Sequence, residues 1–158
     1  FGVILEYLYS DVVRPIPTIA LALEALNAAD AYLLLDGIKP LLASRTASHL
    51  RLDTFCDIYR AATLFNALKL SESAARFAAL EIDAVAALPE FAELIKTDAA
   101  AVKGRQEYDS VPIVDDIRTE IRLYLPGKAQ IEEKNRRFKI LDDLCDALGL
   151  KLRKTRTD

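Results

Sequence analysis

His49 is the chain's single histidine. With Ser48 beside it and Asp53 four residues on, it offers the residue types of a hydroxyl nucleophile, a general base and an orienting carboxylate. That chemistry needs the three side chains within hydrogen-bond reach of one another. No strand-to-helix elbow presents them in this sequence, so a structural histidine is expected. Two aspartate pairs, Asp115-Asp116 and Asp142-Asp143, suggest metal binding or acid chemistry by type alone. Adjacent carboxylates on a helix point in different directions, and neither pair sits in a glycine-bearing ligand loop, so both are expected on solvated faces. Cys56 and Cys145 are the two cysteines. They lie far apart without the close pairing that zinc or redox sites need, and they read as small core residues in a reducing compartment. Phosphate-binding loops of the glycine-rich type are absent. The expectation is a non-enzyme with no catalytic residue, cofactor or metal.

The elements that would position these residues are helical. An apolar fraction of 52% over 158 residues is enough for a real core, and only five glycines occur. Alanine and leucine dominate, which favours helix and predicts a mainly α fold. The opening residues place Phe1, Leu5 and Leu8 on one helical face with Ile4 beside them, and that helix ends at Ser10-Asp11. Arg14, preceding Pro15, belongs to a short extended piece. Thr18 is placed to cap a helix carrying Leu21, Leu23, Leu26 and Ala29 up to Tyr32. A further helix, from Leu35 to about Leu50, starts irregularly at Gly37 and Pro40 and buries Ile38, Leu41 and Leu42. Asp53 is placed to cap a strong helix with Phe55, Ile58, Tyr59, Ala62, Phe65 and Leu68 in line. Ser71 caps the next, from Glu72 to about Ala87, and Pro89 opens another with Phe91, Leu94 and Ile95. The polar stretch from Thr97 to Ser110 is expected to fray or bend. Pro112 opens a segment with Val114, Ile117, Ile121 and Leu125, which Pro126-Gly127 ends. The last helix repeats Ile131, Phe138, Leu141, Cys145 and Leu148 near a seven-residue period, a seam that suits docking on a partner, and Gly149 caps it.

Charge narrows the partners. A net charge of −3 gives no general attraction to nucleic acid or anionic lipid. Residues 127–158 carry nine basic and six acidic side chains, among them Lys134, Arg136, Arg137 and Lys139. Without aromatic platforms or a groove, this modest bias reads as a solvated face, followed by a basic tail at 151–158 expected to be mobile. The most apolar stretch, Ile16 to Leu35, contains Glu24, Asn27 and Asp30. An ionised group in hydrocarbon costs about 3 kcal/mol, so no membrane span is expected there. The chain contains no methionine, so Phe1 is not a translation start and a fragment is expected.

Phe1-x-x-x-Leu5-Glu6-Tyr7-Leu8-Tyr9-Ser10-Asp11 resembles the BTB/POZ signature, in which a helix ends in an aromatic, an aliphatic, Tyr, then Thr or Ser and Gly or Asp. Ala28-Ala29-Asp30-Ala31-Tyr32 resembles the Ala-Ala-Asp-x-Tyr helix end of the same fold. Leu52 to Leu94, closing in Pro89-Glu90-Phe91-x-x-Leu94, resembles the BACK-like helical extension that follows many BTB domains. The segment from Ala99 to Arg118, with Ile131-Glu-Glu and Leu141-Asp-Asp-Leu144, is similar to the C-terminal end of ankyrin-repeat and BTB/POZ proteins of the elongation-factor-binding type. Of that segment, Asp109 to Arg118 is expected to lock the C-terminal helices against the bundle.

The resemblance implies the C-terminal half of a BTB/POZ domain at 1–51, a BACK-like extension at 52–96, a C-terminal helical region at 97–150 and a basic tail at 151–158. It implies ankyrin repeats and the front half of the BTB fold before Phe1. In function it implies a cytoplasmic substrate adaptor of a cullin-RING ubiquitin ligase. Its partners would be a cullin scaffold, translation elongation factor and a second copy through the BTB fold, with no nucleic acid and no membrane. Tyr32 matches a tyrosine at the cullin surface of relatives, and Tyr9, Phe55 and Tyr59 join it as expected partner-binding residues. The alternative is a non-catalytic architectural scaffold without ubiquitin transfer, held together by BTB self-association and the heptad-like final helix.

Overall fold

The computed structural model describes residues 2–32, 37–102, 111–125 and 127–150. Among them the fold is mainly α, with no strand. The chain divides into two compact units, Phe1–Phe77 and Ala78–Asp158.

In the first unit, α1 (Gly2–Ser10) packs on α2 (Ile19–Ala31), which lies along α3 (Ile38–Ala47) and also touches α4 (Phe55–Leu64). Thr18 caps α2 as expected, its hydroxyl accepting from Leu21 N at 3.3 Å. The buried line of α2 is Ala22, Ala25, Leu26 and Ala29, with Leu21 and Leu23 half-buried. Small residues on that line let neighbouring backbone come close, which places dispersion contacts where longer side chains would hold the helices apart. Close approach recurs at Gly37, where a Cβ would run into the Tyr7 hydroxyl and come within 3.2 Å of its Cζ. The extended piece from Val12 to Pro17 buries Val13 and Ile16. Its carbonyls have no helical donors and must find others. Arg45 Nε donates to Val13 O at 3.0 Å, and His49 Nε2 bonds Ile16 O at 2.6 Å.

Several local expectations change. Leu5 and Leu8 face outward while Ile4 is the buried residue of α1, so the apolar side of this helix is divided between core and surface. Leu41 is exposed; Ala43 and Thr46 complete the buried side of α3 with Ile38 and Leu42. The position before α4 is Thr54, not Asp53. Its hydroxyl accepts from Arg51 N at 2.9 Å and donates to His49 O at 2.6 Å, whereas Asp53 pairs with Arg51 at 3.3 Å. The helix expected to run on through Leu68 stops at Leu64. Asn66 takes a left-handed φ of 52°, Ala67 N bonds Ala62 O at 2.9 Å, and Asn66 N bonds Thr63 O at 3.4 Å. These two bonds are the Schellman pattern, and asparagine is the residue other than glycine that tolerates it best. α5 (Leu68–Leu80) then starts early enough to enclose Ser71, whose hydroxyl donates to Leu68 O instead of capping a helix. The helix expected over 72–87 is divided between α5 and α6 (Ile82–Ala86).

In the second unit, α8 (Pro112–Tyr124) contacts both α7 (Pro89–Val102) and α9 (Ile131–Ala147), and α9 also contacts α6. Pro89 and Pro112 each stand at the first helical position, where the missing N–H costs nothing. α7 runs past Thr97 to Val102, so the expected loss of helix does not begin there; the rest of that stretch, 103–110, lies outside the described residues. Asp98 supplies a cap that the sequence hides: its Oδ2 accepts from Ile113 N at 3.1 Å, satisfying an amide in the first turn of α8 from fifteen residues away. Arg118 pairs with Asp142, and the Arg122 guanidinium lies 5.6 Å from the Phe138 ring centroid. Both contacts tie α8 to α9.

Gly149 ends α9 as expected, with φ +74°, Leu150 N on Cys145 O at 2.9 Å and Gly149 N on Asp146 O at 3.0 Å. Nothing lies within 4 Å of a Cβ placed there. Gly149→Ala is therefore opposed by backbone conformation alone and is expected to cost about 1 kcal/mol, read from thermal unfolding; Gly149→Asn should lose less. The tail, 151–158, lies outside the described residues.

Candidate protein-interaction surface

The residue types that could do chemistry are engaged elsewhere. His49 Nε2 meets the Ile16 carbonyl, which can only accept, so the ring donates from that nitrogen. Ser48 Oγ donates to Arg45 O at 2.6 Å, and Asp53 pairs with Arg51. The three side chains thus serve a loop, a helix end and a surface pair. Asp142 engages Arg118 while Asp143 takes Lys139 at 2.9 Å, so these adjacent carboxylates diverge, as their helical spacing requires. No group of three His, Cys, Asp or Glu able to hold a metal occurs among the described residues. Cys56 and Cys145 are both buried. Burial pushes the Cys145 thiol up to about 11, which keeps it protonated and unreactive at neutral pH.

Arg136 and Arg137 of α9 join an ion-pair network with Glu133 and Asp83. Arg136 grips both oxygens of Asp83 at 2.6 and 3.1 Å and also reaches Glu133 at 2.7 Å. Arg137 bonds Glu133 at 2.7 Å and donates to Ala79 O at 2.6 Å, covering a carbonyl in the last turn of α5. Hydrogen bonds from Arg136 and then Arg137 hold the Glu133 carboxyl down at about 2, and Arg136 holds Asp83 below its ordinary value. Because both folded values lie below the unfolded ones, this contribution is complete above the unfolded carboxylate range. It is lost as pH falls through the folded value near 2. Glu133→Gln is accordingly expected to flatten the acid limb of a stability-versus-pH curve. The difference between the variant and the parent should shrink in high salt, because these groups are exposed.

The four residues expected to bind partners divide into two pairs. Tyr9 is 91% exposed on α1 and Tyr32 is 61% exposed at the end of α2. Phe55 and Tyr59 are buried in the first unit. Their ring centroids lie 6.5 Å apart, and Phe55 also stands 6.1 Å from Phe77. Rings buried to this degree present little surface to a partner, and their packing is that of core residues.

Tyr9 stands with Leu5 and Leu8 on the outward side of α1, and Val12 is exposed just beyond the helix. A Glu6–Arg14 ion pair at 2.7 Å borders the segment. Tyr32 is held through the backbone, its N–H donating to Ala28 O at 3.0 Å. Lys39 braces the same end of α2, reaching Asp30 at 2.9 Å and Phe65 O at 2.6 Å. Aromatic and aliphatic side chains on ordered helices, edged by charge, are the composition of a protein contact surface. Sequence reasoning missed Leu64 and Leu68, both about 70% exposed at the α4–α5 corner. Asn66 between them is the signal that could have revealed the corner.

No family model matches the chain, and no solved structure matches it significantly. It is similar to BTB/POZ domain-containing protein 3 of Schizosaccharomyces pombe, being 31% identical over 166 aligned positions that cover 94% of this chain. The chain is BTB/POZ-like. It spans 31% of that relative's length. The likeness supports a protein-interaction module and extends over both units. No helix among the described residues is long and apolar enough to cross a membrane.

Proposed function

We propose that this chain is the protein-interaction part of a BTB substrate adaptor for a cullin-RING ubiquitin ligase. The observation that carries the reading is the set of exposed aromatic and aliphatic side chains in the first unit, Leu5, Leu8 and Tyr9 on α1 and Tyr32 at the end of α2, in a chain similar to a BTB/POZ protein over 94% of its length. In this role the chain performs no covalent chemistry and needs no cofactor. It binds a cullin scaffold through anchors in the first unit, and ubiquitin transfer falls to other subunits. Translation elongation factor is the proposed second partner, on the resemblance of the C-terminal segment, and pairing of two copies through the BTB fold completes the assembly. The setting is the cytoplasm.

Immobilised chain should retain a purified cullin N-terminal domain and, in a separate arm, purified elongation factor. Failure in the cullin arm alone removes the ligase role and leaves elongation-factor binding standing; failure in both removes the proposal. The architectural alternative draws on the seam of the final helix. In the structure, Leu141 and Cys145 of that seam are buried in the second unit, where α9 contacts α6 and α8.

A further inference from the structure

We draw no further inference here: the strongest candidate, the exposed aliphatic pair Leu64 and Leu68 at the corner where α4 turns into α5, is an apolar surface patch, and nothing in the structure shows what covers it.

Discussion

Phe55→Ala is expected to lower the unfolding free energy by about 3–5 kcal/mol, the range for deleting a fully enclosed phenyl ring. The side chain has no exposed surface and opens α4 from inside the first unit, with the Tyr59 and Phe77 rings beside it. Removing it forfeits the transfer free energy of the ring and leaves a void that rigid helices fill only in part. Urea unfolding followed by far-ultraviolet circular dichroism measures this directly, with the midpoint falling and the slope nearly unchanged. A variant that unfolds like the parent would place the ring at a surface and restore Phe55 as a binding residue.

Leu141→Ala separates two uses of the final helix. The residue is completely buried in the α9 seam. If the seam serves the second unit, truncation costs about 2–5 kcal/mol and weakens the fold at any protein concentration. If the seam were instead a docking face, the monomer would keep its stability and only association would suffer. Unfolding measured over a hundredfold range of concentration distinguishes the cases, because stability drawn from a partner depends on concentration and stability drawn from the chain's own core does not. The internal seam predicts the large loss with no concentration dependence.

Four helix ends were readable from single residues. Thr18 caps α2, Pro89 and Pro112 open α7 and α8, and Gly149 closes α9, each for a reason contained in that residue and its immediate neighbours. The break at Asn66 was hidden because apolar residues keep a spacing of three straight across it, at Ala62, Phe65 and Leu68. Periodicity measures which positions share a side but does not register a single residue with positive φ between them. Asp98 was hidden for another reason: a cap arriving from a different helix leaves no local pattern to find.

The candidate surface was half legible. Helical spacing marks Leu5, Leu8, Phe55 and Tyr59 alike as apolar, and only tertiary packing decides that the first two are outside and the last two inside. Tyrosine is the least decided of these types, since its ring favours burial and its hydroxyl favours water or a polar partner. Tyr9 and Tyr59 resolve that balance in opposite directions within one unit.

Titration calorimetry of the chain against the cullin N-terminal domain, with Tyr9→Ala and Tyr32→Ala compared to the parent, bears most directly on an interaction module built on the first unit. The expected result is binding by the parent, weakened about 30-fold by at least one of the two substitutions, the loss typical of an interface anchor, with thermal unfolding unchanged in both. Heats identical for all three proteins, or none for the parent, would contradict it.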